Sequence, residues 1–179
     1  MTYFRILFIL SIFLPIAGFS QAEGEVSSPP SYDKIFELHR QMENSWKEDD
    51  MRGIAAYYDT DGYLLNPSEV VASGENDIIA YWEKMKGKAV SWRLEEQFMS
   101  TSLEEMLGSE PWKALKEKPP LWEQFEVSLD DKGTYYFDLG ISHLTYTSEG
   151  EEHTSVVTYL MVLEQKEDGS LKIQIDTYN

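Results

Sequence analysis

His143 is the titratable residue in this chain best placed to do chemistry. It alternates with Tyr135, Phe137, Leu139 and Ile141 along 134–147, so all five share one face of a predicted strand. If that face lines a pocket, its imidazole can act as acid, base or ligand donor near neutral pH. The plainer alternative is a histidine at a strand end, hydrogen-bonded or half exposed. Asp176, close to the C-terminus, could orient a histidine or tyrosine by accepting a hydrogen bond. Strand parity argues against a pocket role, because Leu171, Ile173 and Ile175 face the opposite way; a structural hydrogen bond is the simpler reading. Tyr58, Asn66, Trp82, Trp92 and Tyr159 offer a few polar points among aromatic walls, the composition of a small-molecule pocket. The same residue types also build ordinary cores.

Other chemistries lack their residues. The chain has no cysteine, which excludes thiol catalysis, cysteine-ligated zinc, disulfides and a lipid-anchoring cysteine. The three histidines, at 39, 143 and 153, have no ligand-like spacing. Asp59-Thr60-Asp61-Gly62 begins like a calcium loop but lacks the later oxygen ligands and the closing glutamate, so a turn is expected. Glu151-Glu152-His153 reads as a solvated hairpin tip. There is no nucleophile motif, phosphate loop or dinucleotide fingerprint. No cofactor and no metal are expected. The formal net charge of −17 at pH 7 disfavours nucleic acids and anionic membrane surfaces, and favours solubility.

The first 22 residues read as a secretory signal peptide. Arg5 supplies a positive start, Ile6 to Gly18 is almost wholly apolar, and Ser20 and Ala22 fit a cleavage site. That apolar run of about 13 residues is short of the roughly 20 needed to span a bilayer. A secreted or periplasmic location is expected, with no membrane attachment after cleavage. Residues 23–30, ending in Ser-Ser-Pro-Pro, read as a flexible tail.

The elements that would position these residues follow from periodicity. Ser31 is a candidate N-cap for a helix in which Ile35, Leu38, Met42 and Trp46 form one apolar stripe to about Lys47. Asp49 or Asp50 caps a shorter helix with Met51, Ile54, Ala55 and Tyr58 on its buried face. A short strand at 63–66, stopped by Pro67, and another at 70–72 follow. Ser73 then caps a third helix carrying Ile78, Trp82 and Met85, ended by Gly87. From Val90 the period becomes two. Residues 101–122 interrupt it as a helical insertion with a capping box at Ser102 to Glu105 and Pro111 at a helix start. Strands at 134–147, 153–164 and 171–175 close the chain, the last two joined by a Glu167-Asp168-Gly169 turn. Helices first and an antiparallel meander after make an α+β domain over 31–179.

Two stretches carry a family resemblance. Asp50 to Trp82 runs as an aspartate, a helix ending in tyrosine, an acidic turn, a short strand ending near proline, and a glycine opening a third helix. Asp168-Gly169-Ser-Leu-Lys-Ile-Gln-Ile-Asp176 is similar to a closing Asp-Gly-x-Trp-Lys-Ile-x-x-Asp pattern, with Leu171 in place of the tryptophan. Residues 133–146, with Gly140, resemble the middle strand. The chain thus resembles the SnoaL-like, nuclear-transport-factor-2-like superfamily that includes ketosteroid isomerase. The resemblance implies a cystatin-like cone: three N-terminal helices packed on a strongly curved mixed or antiparallel sheet around a pocket. It also places Asp176 at the terminal acidic position. Ketosteroid isomerase needs a carboxylate base and enolate-stabilising donors. At the position of its base this chain has Asn66, and at that of its first tyrosine, Met42; neither can do that work.

Three functions stay open. The first is a secreted small-molecule-binding protein holding a small, partly apolar molecule, with the 101–122 segment as a lid and a homodimer through the outer sheet face. The second is a lyase, isomerase or hydrolase using His143 with Asp176, which requires the two within hydrogen-bond reach. The third is an oligomerising interaction domain, with Tyr or Leu exposed on the even-numbered face of 134–147.

Overall fold

The computed structural model describes residues 32–115 and 134–179. The expected signal peptide, the tail, Ser31 as a cap and the end of the insertion lie outside the described residues. Helices α1 (Asp33–Lys47) and α2 (Met51–Ala55) lead into strands β1 (Tyr58–Leu65) and β2 (Val70–Ser73), then helix α3 (Glu75–Glu83) and strand β3 (Ala89–Ser100). Short helices α4 (Leu103–Gly108) and α5 (Glu110–Ala114) precede the long strands β4 (Thr134–Ser148), β5 (Glu151–Gln165) and β6 (Leu171–Tyr178). The six strands form one sheet in the order β2-β1-β6-β5-β4-β3. It is mixed, because β1 runs parallel to β6 while the other pairs are antiparallel. Among the described residues no helix is long and apolar enough to cross a membrane.

The helix stripes behave as their spacing requires. Ile35, Leu38, Met42 and Trp46 of α1 are buried against the sheet with Met51 and Ile54 of α2 and Ile78 and Trp82 of α3. Asp50 caps α2 through the Gly53 N–H. Helix α3 is entered differently from the expectation: Gly74, at φ 78°, is its N-cap residue, one position beyond Ser73. Glu43 of α1 accepts a hydrogen bond from the Leu94 amide of β3, an edge strand of the sheet, at 2.7 Å.

Three strand irregularities decide which side chains face inward. In β6, Leu163 pairs with Ile173 and Val162 with Ile175, leaving Gln174 as an extra residue. In β3, Glu96 pairs with Gly140 and Phe98 with Leu139, leaving Gln97 extra. Each bulge reverses the alternation beyond it, so Ile173 packs inward and Ile175 outward, and Leu94 inward and Phe98 outward. In β1 the stretch 59–62, expected as a turn, instead bulges within a continuous strand. Gly62 is required there, since a Cβ would lie 2.8 Å from the Ile173 carbonyl oxygen. The Gln174 side chain braces its own bulge by donating to Asp59 at 2.8 Å and Glu164 at 2.6 Å, and Lys166 bridges the same two carboxylates.

Two apolar clusters result. The inner one lies between the helices and the sheet. The outer one, on the opposite sheet face, joins Leu65, Phe137, Leu139, Leu160, Val162 and Ile175 to Met106 of α4 and Trp112 of α5. The described part of the insertion is therefore not a lid: it packs on the face away from the cavity. Ser102 does cap α4, but Glu105 accepts from Ser100 rather than closing the box on Ser102. The even-numbered residues of β4, expected at the outer surface, point inward: Tyr136 joins the inner core, and Ser142, Leu144 and Tyr146 line the cavity.

Candidate functional site

The inner face of the sheet and helix α3 enclose a cavity of about 310 Å³. Trp92 and Leu94 of β3, Leu144 and Tyr146 of β4, and Tyr159 and Met161 of β5 form its sheet wall. Tyr81 and Trp82 of α3, with Met85 in the turn after it, form the opposite wall, and Asp176 and Tyr178 of β6 also line the space. The indoles of Trp46, Trp82 and Trp92 pack together with ring centroids 5.5–6.3 Å apart, which fixes the position of the two that face the cavity. Ser142 accepts the Trp92 indole N–H at 2.9 Å.

Asp176 is the floor of this cavity. The Gln174 bulge turns it inward, where it pairs across the sheet with Met161. The Tyr58 hydroxyl donates to its Oδ2 at 2.5 Å. Burial is the largest influence on this carboxyl and raises its pKa to about 6; the Tyr58 hydrogen bond works in the opposite direction, and the Asp138 charge adds to the rise. Burial, then the Asp176 charge, push the Tyr58 phenol well above its ordinary value. Tyr81, hydrogen-bonded to Tyr178, is raised by the same burial. At neutral pH the floor is thus a carboxylate held by a phenol that keeps its proton.

A second buried polar group lies beside it. His39, from α1, sits between Glu96 of β3, with Nδ1 2.6 Å from its carboxylate, and Asp138 of β4, with Nε2 2.8 Å from Oδ2. Asp138 lies close to Nε2, off the ideal hydrogen-bond line, and favours the charged imidazole. Tyr159 donates to the other oxygen of Asp138 at 3.3 Å. Burial works against a charged His39, yet the two carboxylates outweigh it and its pKa is raised. Burial raises that of Asp138 in spite of His39.

Trp82, Trp92 and Tyr159 line the cavity as the sequence suggested, and Tyr58 stands behind Asp176. Asn66 does not: its Oδ1 accepts the amides of Ser68 and Glu69 and shapes the β1–β2 turn. Met42 is core. His143 is on the outer face, its Nε2 3.7 Å from Glu95 and its strand neighbour Val156 58% exposed. His143 and Asp176 therefore lie on opposite faces of the sheet, and the expected catalytic pair does not exist. Asn66 and Met42 supply no proton-moving group, yet a different pair does stand inside the cone, the Asp176 carboxylate with the Tyr58 phenol.

Sequence reasoning missed His39, Glu96 and Asp138. His39 sits one position after Leu38 and three before Met42, at the edge of the apolar stripe. Asp138 interrupts a strand otherwise buried on both faces. Those were the available signals. Among the described residues no group of three or more His, Asp or Glu side chains is arranged to hold a metal ion.

The arrangement of N-terminal helices on a six-stranded mixed sheet is shared by solved structures of low sequence identity. A ketosteroid isomerase-like protein from Erwinia carotovora matches with TM-score 0.55 and 15% identity, over 82% of this chain and 92% of that one. The fold is that of the nuclear-transport-factor-2-like, ketosteroid-isomerase-like proteins. An NTF-2 like protein of unknown function from Shewanella oneidensis matches this chain with TM-score 0.56 and 13% identity, over 82% and 96% of the two chains. ActVI-ORFA from Streptomyces coelicolor matches with TM-score 0.57 and 12% identity, over 83% and 95%. No protein-family model matches the sequence, and no curated protein does. At these identities the likeness is one of fold alone.

Proposed function

We propose that this protein is an exported carrier or receptor that holds a small, largely apolar molecule inside the cone. The observation that carries the reading is the cavity itself: about 310 Å³, lined largely by aromatic and aliphatic side chains, with Asp176, Ser142 and Ser155 among its few polar residues. Ligand sites begin at roughly that size, and their few polar groups fix orientation. The apolar leader before Ala22 supports export. Filling the space tests the reading. Val157 lines the cavity and is only half-buried, so Val157→Trp blocks the cavity with a small effect on stability. A thermal-shift and native mass spectrometry screen with hydrophobic metabolites should find ligands for the parent chain and none for the variant. Ligands that bind both equally would place binding elsewhere.

A second reading has one observation in its favour. Asp176 faces the cavity with a pKa near 6, which suits a group that exchanges protons at neutral pH. Turnover that follows a single ionisation and disappears in Asp176→Asn would support an isomerase or lyase. That reaction would run from Asp176 and Tyr58 without His143.

A further inference from the structure

The cavity has an unusual charge distribution. Among its described lining residues Asp176 is the one acid, and no lysine, arginine or histidine lines the space. The carboxylate has a phenol for a partner and no cation, whereas its buried neighbour Asp138 has His39. The nearest other titratable groups are Tyr58 on β1, Tyr81 on α3, Asp138 on β4, Tyr159 on β5, Tyr178 on β6 and, through its field, His39 on α1. Burial raises the phenols of Tyr58, Tyr81 and Tyr159, so these stay neutral, and Asp138 repels further negative charge. Trp82, Trp92, Tyr81, Tyr146, Tyr159 and Tyr178 line the same cavity as this carboxylate. Aromatic faces attract cations, indole most strongly. A net charge of −17 adds a field that draws cations toward the molecule.

We infer that the ligand is an organic cation: an amine or quaternary ammonium group seated against Asp176, on an apolar body filling the aromatic remainder of the cavity. This rests on the binding function proposed above and specifies its chemistry. Desolvating an unpaired carboxylate is costly, and a bound cation offsets that cost where a neutral ligand does not. An anionic ligand would meet Asp176 with no basic residue to receive it.

Three probes of one shape separate the possibilities: 4-phenylbutylamine, 4-phenylbutanol and 4-phenylbutanoate, titrated by tryptophan fluorescence. At pH 7.5 the amine is expected to bind about tenfold more tightly than the alcohol, a difference of about 1.4 kcal/mol, with the acid weakest. Since Asp176 takes up a proton below about pH 6, amine affinity should fall roughly tenfold by pH 5 while alcohol affinity stays constant. Asp176→Asn should remove the preference at pH 7.5, bringing amine affinity down to that of the alcohol. Equal affinities of amine and alcohol in the parent protein would overturn the cation inference and leave a neutral-ligand pocket standing. Preference for the acid would also overturn it, showing Asp176 to be protonated. Binding of none of the three, with no ligand found in the wider screen, would remove the pocket reading and this inference together.

Discussion

At Asp176 a carboxylate is buried with a tyrosine as hydrogen-bond partner and an ordinary value of 3.8 raised to about 6. A carboxyl whose pKa is higher folded than unfolded stabilises the fold below the unfolded value and loses that contribution as pH rises through the folded one. Ionisation at neutral pH therefore costs on the order of 3 kcal/mol at this buried group. Asp176→Asn keeps an oxygen to accept from Tyr58 and removes the charge, so urea denaturation at pH 8 should show it more stable than the parent by about 2 kcal/mol, with the gap narrowing toward pH 5. A variant less stable at both pH values would show that the carboxylate is needed structurally. The His39 group has the opposite dependence on its partners. His39→Leu leaves Asp138 buried with no counterion, and the expected loss is about 3–5 kcal/mol at pH 7. Adding Asp138→Leu to His39→Leu removes the orphaned charge and should recover most of that loss in a double-mutant cycle.

At the scale of the element, single inserted residues choose the working face. Gln174 adds one residue to β6 and so exchanges Ile175 for Asp176 on the inner surface. Gly140 is constrained by what crosses it, since a Cβ there would lie 2.6 Å from the Tyr159 hydroxyl and closer still to the Glu95 carbonyl oxygen. The insertion is an element of the outer face: Trp112 is 7% exposed and packs with Met106 on Phe137, Leu139 and Leu160. Trp112→Ala should cost about 3–5 kcal/mol in denaturant titrations. It should leave ligand affinity unchanged, because the sheet stands between it and the cavity. A marked loss of affinity at equal folded fraction would restore the lid expected from the sequence.

For the whole molecule, the signs of the buried groups agree. Asp176, Asp138 and His39 are all raised, so each contributes stability below its unfolded value that fades as pH climbs. Lower pH also relieves the self-repulsion of a chain carrying −17. Thermal unfolding from pH 8 to pH 5 should therefore show the midpoint rising on acidification, until the lowered carboxyl of Asp59, ion-paired with Lys166, begins to protonate near the ordinary carboxylate range. A midpoint that falls steadily from pH 8 to pH 5 would contradict the buried-charge assignments.

Order and type of the elements were legible in the sequence because they depend on neighbours close along the chain. The stripe of Ile35, Leu38, Met42 and Trp46 needs one helix turn after another, and the Asp50 cap needs the next three residues. Trp82 and Trp92 lie on patterned faces of α3 and β3 that the sequence shows, whereas β5 is buried on both faces around Tyr159 and its alternation does not say which way that ring points. The site's polar chemistry was not legible. Whether Asp176 faces in or out turns on the unpaired Gln174, and a bulge is set by the partner strand's register rather than by local alternation. His39, Glu96 and Asp138 come from α1, β3 and β4, and packing between elements alone brings them within hydrogen-bond reach. Sequence determined the walls of the cone; tertiary pairing decided which charges stand inside it, because a period of two says that residues alternate but not which face is the interior.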